Sequence, residues 1–249
     1  MPLEYDYGVH FREFHQTGLE YAEKQGDWNL QSLMPYLPVA KGIDVLDIGC
    51  GMGFAMLAFK KFGYRKVLGV DIDQSQIDAC IEIGLDAEKI SDLAAYLKTN
   101  SKRFGLITLF DVLEHIPPNK QIETLRDIYE ALAPGGRLLV KVPNASSIVA
   151  ARWQFIDFTH FTSYTEYSIR YAIRSAGFLR VEVPATENLE PRPSLRPRTL
   201  FTAGTWVQLK RWIVRRAWRM VLSVEFGDDH VSKIPLGLNL MAIADKEPA

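Results

Sequence analysis

The chain has 249 residues, 47% of them hydrophobic, enough to bury one good core as a single α/β domain over residues 1–249. Its net charge of -1 removes bulk electrostatic attraction to nucleic acid as an argument, and two cysteines, Cys50 and Cys80, do not make a disulfide framework. With no basic stretch leading into an apolar one at residues 1–10, and no apolar run near the roughly 20 residues of a membrane span, a reducing cytoplasm is the expected home.

Residues 1–40 carry many aromatics and two histidines, His10 and His15. Phe11, Phe14, Gly18 and Tyr21 or Ala22 recur at helical spacing and predict one amphipathic helix before Gly26. A second short helix is expected from Asp27, ended by Pro35 and Pro38. This leading segment reads either as a helix on the core edge or as a cap over a ligand.

An apolar run at 43–48 then stops abruptly at Gly49, Gly51 and Gly53, and an apolar, helix-compatible run follows at 54–59. That is a buried strand, a tight turn and a helix start. Glycines let the backbone take positive φ and approach a ligand with no Cβ in the way, while the helix's first N–H groups face whatever lies above. A dinucleotide turn prefers G-x-G-x-x-G, and here its third glycine is replaced by Phe54.

A second short strand at 67–73 ends in acids. Asp71 falls about 20 residues beyond the glycines, where a carboxylate reaches ribose hydroxyls. Asp73 is placed to cap a helix at 74–83. A weak third strand at 87–90 precedes Asp92, which either contacts a ligand or caps a helix at 93–97. Residues 104–111 form a fourth, almost wholly apolar strand, as expected in a parallel sheet buried on both faces. A helix is expected to take over there, with His115 one turn in, and a further helix at 121–132 buries Ile122, Leu125, Ile128 and Tyr129. Pro134-Gly135-Gly136 makes the turn into a fifth strand at 137–142.

Residues 153–162, from Trp153 to Thr162, form a loop both aromatic and polar, which is costly unless it lines something. A capped helix at 165–176 and strands at 178–183 and 236–245 complete the pattern. Strands alternating with helices imply right-handed crossovers and a doubly wound sheet. Residues 187–230 form an insertion, proline-punctuated at first. Between 206 and 224, Trp206, Leu209, Ile213, Met220 and Val224 share one helical face and basic residues crowd the remainder, with no acid between Glu190 and Glu225. This helix either packs on the sheet, lies on a membrane surface, makes a dimer contact or docks an anionic substrate.

Asp47-x-Gly49-x-Gly51-x-Gly53 resembles the first motif of the class I S-adenosylmethionine-dependent methyltransferases. Asp111-x-Leu113-Glu114-His115-Ile116 resembles the branch with ubiquinone-biosynthesis and sugar O-methyltransferases, and Asp157-x-Thr159-His160 resembles methyltransferases of bacterial surface polysaccharides. The resemblance covers 43–143 well and 157–178 fairly. It implies a Rossmann-like, seven-stranded, mostly parallel sheet with helices on both faces and the last strand antiparallel. A cap over 1–40 and a cofactor-binding core over 43–183 are implied with it. It further implies S-adenosylmethionine as cofactor, leaving as S-adenosylhomocysteine, held by Asp47, Gly49, Cys50, Gly51, Gly53, Asp71, Ile72, Asp92, Leu93 and Phe110.

The acceptor implied is a hydroxyl, that of a sugar in a bacterial surface glycan or its precursor, with another small molecule (a quinone, phosphate or amine) as the alternative; the net charge weighs against nucleic acid. A hydroxyl needs a base, and histidine suits neutral pH. Among His10, His15, His115, His160 and His230, His160 is favoured because it follows the fifth strand, beyond the strand carboxyl ends where open α/β sheets hold ligands. Asp157 is expected to orient it, Asp111 to touch cofactor or acceptor, and His115 and Trp153 to line the acceptor site. No set of carboxylates and an amide for a divalent ion is evident, so no metal is expected. A nicotinamide-dependent oxidoreductase and a catalytically silent partner subunit are the alternatives; Phe54 and the lack of a Tyr-x-x-x-Lys pair weigh against the first.

Overall fold

The computed structural model describes residues 18–185 and 203–248. Seven strands, β1 (Asp44–Ile48), β2 (Lys66–Asp71), β3 (Ala87–Lys89), β4 (Phe104–Phe110), β5 (Leu132–Pro143), β6 (Arg180–Glu182) and β7 (Asn239–Asp245), form one sheet in the order β3-β2-β1-β4-β5-β7-β6. β1 to β5 pair in parallel, and β7 runs antiparallel to both β5 and β6. The doubly wound, mostly parallel fold with an antiparallel last strand is therefore present.

Both sheet faces are buried because successive residues of a strand point opposite ways. Leu46, Ile107 and Leu138 enter one core, with Leu125, Ile169 and Phe178. Their neighbours Val45, Leu106 and Leu139 enter the other, with Met56, Phe59 and Ile77. Order reverses at β1, which pairs with β2 on one side and β4 on the other. The crevice at such a reversal, beyond the strand carboxyl ends, receives ligands in open α/β sheets.

Several local expectations need correction. A single helix, Leu19–Leu33, runs through Gly26, where a break was expected. A Cβ on Gly26 would sit 2.9 Å from Leu57 Cβ, so this glycine lets the helix press against helix Phe54–Phe62. His115 lies on a 3-10 turn, Leu113–His115, and not inside a helix; helix Pro118–Ala131 starts afterwards with proline at its first position, where the missing N–H costs nothing. Pro134-Gly135-Gly136 lies within β5, whose register against β4 shifts between Phe104 and Leu106, with Gly135 at φ 72°. Trp153 and Gln154, the first two residues of the loop expected at 153–162, instead end a short helix, Ala150–Gln154.

The helix expected at 206–224 spans Ala203–Phe226. Trp218 and Leu222 pack on Val231, Ile234 and Leu236, while Trp206, Ile213, Met220 and Val224 of the expected apolar face are exposed. The expectations for residues 1–17, including His10 and His15, and for the proline-rich stretch 187–198 lie outside the described residues.

Candidate functional site

The glycine turn leaves β1 with three alternate residues in the left-handed region: Gly49 at φ 68°, Gly51 at 52° and Gly53 at 79°. Two of the three leave no room for a side chain. A Cβ would meet Val112 Cγ2 at 2.3 Å from Gly49, and Leu85 Cδ1 at 2.3 Å from Gly53. Gly49 and Cys50 N–H both donate to Val70 O, and the Cys80 thiol donates to Gly51 O at 3.1 Å, tying the turn to β2 and the helix after it. Cys50 is buried, and its thiol is held above the usual range by its contact with Cys80 and by burial.

Asp71 ends β2 opposite this turn. Its Oδ2 accepts from Gly51 N–H and its Oδ1 from Asp73 N–H, both at 3.0 Å. Burial pushes this carboxyl up against the pull of those donors. Each oxygen accepts one N–H and keeps a second lone pair, the inventory a ribose diol requires. Ile72 beside it is exposed, offering an apolar surface to a base. Asp92 caps helix Leu93–Thr99, accepting from Ala95 N–H at 3.0 Å, so its capping role is realised and one oxygen is committed to it. Leu93 and Phe110 are half-buried, Leu93 against one core and Phe110 against the other, and Lys141 Nζ lies 5.4 Å from the Phe110 ring centre.

Asp47 sits behind the turn, 2% exposed, and accepts from Thr108 Oγ1 at 2.6 Å. Burial raises its pKa to about 7, opposed by Thr108 and the Lys141 charge. A buried carboxyl poised near neutrality favours a cation brought up to it. With the glycine cradle and Asp71, the donor set fits a cofactor having an ammonium at one end and a ribose at the other, as the sequence motif implies. The first turn of helix Leu19–Leu33 reaches this place: Tyr21 meets the Phe54 ring edge-on at 5.7 Å, and Gly18 and Ala22 line a small cavity with Met52.

Beyond β4 and β5 lies a second group of polar side chains. Asp111 takes φ 55°, an uncommon conformation for a side-chain-bearing residue, and pairs with Lys141 at 2.7 Å. The turn carrying Glu114 and His115 is stapled by Gln121, whose amide donates to Leu113 O, Ile116 O and Thr162 Oγ1. The aromatic loop docks on this turn through Phe161 N–H donating to Glu114 O at 2.8 Å. His115 and His160 thereby meet, ring centres 4.6 Å apart. Glu114 beside them is 1% exposed and has no hydrogen-bond partner on either carboxylate oxygen; burial, then the Asp111 charge, hold it well above the usual carboxylate range.

Asp157 was expected to orient His160. Its Oδ1 instead accepts from Thr159 N–H and Thr159 Oγ1, and that hydroxyl lies 2.8 Å from His115 Nδ1, so the relay leads to His115. An aspartate two residues before a threonine closes such a turn on itself, and the next residue's ring points elsewhere. His160 Nδ1 is 3.1 Å from Gln154 O, a carbonyl that can only accept, so Nδ1 carries the proton and Nε2 keeps its lone pair. Trp153 Nε1 donates to Asn239 Oδ1 at 2.8 Å, knitting the loop to β7. His230 stacks on Tyr167 away from this group.

Gln121 and Gln154 carry no signal in the sequence, and Glu114 and Thr159 stand there only as members of the motifs around His115 and His160, with no role of their own. Ligand atoms of Glu114, His115 and His160 lie within 4.8 Å of one another and could hold a metal ion, although none was expected from sequence. No spacing rule links them, because the third member arrives on a separate loop.

A family model described as a methyltransferase domain matches residues 19–183. Ubiquinone biosynthesis O-methyltransferase of Coxiella burnetii is 30% identical over 129 residues, which is 46% of this chain and 52% of that protein. Ribosomal protein L11 methyltransferase of Caldicellulosiruptor saccharolyticus is 31% identical over 108 residues, 43% of this chain and 34% of that one. The chain thus spans about half, or less, of the length of these curated relatives. The crystal structure of a SAM-dependent methyltransferase from Archaeoglobus fulgidus has the same fold, with a TM-score of 0.65 at 22% identity, covering 97% of this chain and 100% of that one.

Proposed function

This chain belongs to the methyltransferase-domain family, with S-adenosylmethionine as its cofactor, and from that premise we propose that it methylates a hydroxyl, that of a sugar in a bacterial surface glycan or its precursor. The observation that carries the reading is the meeting of His115 and His160 beside buried Glu114, on the strand-end side where the glycine turn also lies. A bound cofactor supplies an electrophilic methyl on a sulfonium, so the chain must hold the acceptor in line and remove its proton.

His160 is the base in this reading. Its Nδ1–H is held by Gln154 O, leaving Nε2 to take the hydroxyl proton. Glu114 offsets the resulting imidazolium, since a buried carboxyl that is costly to ionise alone becomes favourable to ionise beside a cation. His115, fixed through Thr159 by Asp157, forms the wall against which His160 packs. Phe155, Phe158 and Phe161 expose large ring surfaces along the same loop, suited to the apolar faces of a ring whose edges carry hydroxyls. The ubiquinone biosynthesis O-methyltransferase among the relatives supports a hydroxyl acceptor, and it makes a quinone precursor the second candidate.

Labelled S-adenosylmethionine and a panel of nucleotide sugars and quinone precursors test this. Transfer to one sugar hydroxyl is expected, with His160→Ala lowering kcat at least about 100-fold while leaving S-adenosylhomocysteine affinity unchanged. Labelling of an amine only, or unaltered turnover in His160→Ala, would overturn it.

A further inference from the structure

The helix Ala203–Phe226 lies outside the stretch that the family model matches, and its chemistry is not used by the methyl-transfer site. It is 24 residues long, about 36 Å at the usual rise per residue. Trp218 and Leu222 anchor one side to Val231, Ile234 and Leu236, and the Trp218 indole donates to Ser146 O at 3.0 Å. The opposite side carries Trp206, Ile213, Val214, Met220, Val221 and Val224, recurring at helical spacing and each 43–80% exposed. An amphipathic helix of a globular protein normally turns such a stripe to the core. This one presents it outward over nearly its whole length.

The charge around the stripe says what covers it. Five basic residues, Lys210, Arg211, Arg215, Arg216 and Arg219, occur in the helix against one acid, Glu225, although the chain as a whole is slightly negative. Lys210, Arg211 and Arg216 are themselves exposed. Lys210 and Arg216 flank the Trp206–Ile213–Met220–Val224 stripe on either side at about 100° per residue, while Arg211 falls toward the side of Trp218 and Leu222, and the Arg216 guanidinium stacks over half-exposed Trp212 at 5.2 Å. An apolar strip edged by cations and an indole matches a bilayer interface, where acyl chains take the strip and anionic headgroups take the edges. A second copy fits less well, since a two-fold contact would set two cationic helices side by side. No helix among the described residues is long and apolar enough to cross a membrane.

We propose that the helix Ala203–Phe226 is a membrane-surface anchor that lies in the interface of an anionic bilayer, its Trp206–Ile213–Met220–Val224 stripe inserted and Lys210 and Arg216 at the headgroups on its two edges. The inference is independent of the identity of the methyl acceptor.

Flotation of the full chain with vesicles tests it, comparing phosphatidylcholine alone with phosphatidylcholine containing about 30 mol% phosphatidylglycerol. Partition to the anionic vesicles should be at least about tenfold greater and should fall in roughly 0.5 M salt. Ile213→Glu with Met220→Glu should abolish it. Lys210→Glu with Arg216→Glu should reduce it to the phosphatidylcholine level. Unchanged S-adenosylhomocysteine affinity and melting temperature would show that the variants are folded. Absence of vesicle binding, or equal binding to both vesicle types, would overturn the proposal. So would a dimer in light scattering that Met220→Glu dissociates while vesicle binding by the wild type stays undetected.

Discussion

Replacing Gly49 by alanine tests whether the turn's shape, and not merely its sequence, makes the cofactor site. Gly49 sits at φ 68°, where an alanine costs about 1–2 kcal/mol. Its Cβ would lie 2.3 Å from Val112 Cγ2. Valine is stiff about χ1, so relieving that contact costs roughly another 1–2 kcal/mol in rotamer strain or backbone shift. Together these reduce the population of the binding-competent turn by about 2–4 kcal/mol, or roughly 30- to 700-fold in apparent affinity. Calorimetric titration with S-adenosylhomocysteine reads this directly. Val112→Ala on the same background removes the struck methyl groups and should return the steric part, leaving only the left-handed cost of about tenfold. An affinity for Gly49→Ala within about threefold of wild type, or no recovery with Val112→Ala, would refute the reasoning.

Asp47→Asn should stabilise the apo-protein above neutrality. The Asp47 pKa is raised from 3.8 to about 7, so the folded state binds the extra proton between those values, and stability falls as pH climbs through that window. The penalty levels off above pH 7 at a few kcal/mol, and melts at pH 4 and pH 8 should show the variant's advantage growing from near nothing at the lower pH to its full size at the higher, alongside weakened S-adenosylhomocysteine binding. Gly26→Val should lower the melting temperature, with a loss of about 1–3 kcal/mol, because its Cβ would press on Leu57 at 2.9 Å; an unchanged melt would remove the close helix contact. Dialysis against a chelator should leave turnover within about twofold if His160 acts as the base. A larger loss restored by a divalent cation would instead make Glu114, His115 and His160 metal ligands.

Alternation of apolar strands with helices and the glycine turn made the doubly wound sheet and the cofactor end legible before any coordinates. Those features are local: positive φ at alternate glycines and a carboxylate ending the neighbouring strand are set by nearby residues. Gly26 misled because propensity counts a helix-interior glycine as a cost, whereas the contact with Leu57 uses its missing side chain. Pro134-Gly135-Gly136 misled similarly, since the turn signal is absorbed as an irregularity inside β5.

The acceptor end was harder because its geometry is made between segments. His160 was singled out from its place after β5, but the route of its hydrogen bond to Gln154 O depends on the short helix Ala150–Gln154, which the sequence suggested only as loop. The Asp157 relay passes through Thr159 to His115 on a different turn, a pairing that no spacing along the chain announces. The exposed face of helix Ala203–Phe226 illustrates another limit: periodicity identifies an apolar stripe, and only packing reveals which way it points.

The central claim is that the turn from Asp47 to Gly53, with Asp71, binds S-adenosylmethionine. Parallel calorimetric titrations of the full chain with S-adenosylhomocysteine and with NADH test it most directly. Micromolar binding of S-adenosylhomocysteine, lost in Asp71→Ala, and no heat from NADH are expected. Binding of NADH with none of S-adenosylhomocysteine would contradict it.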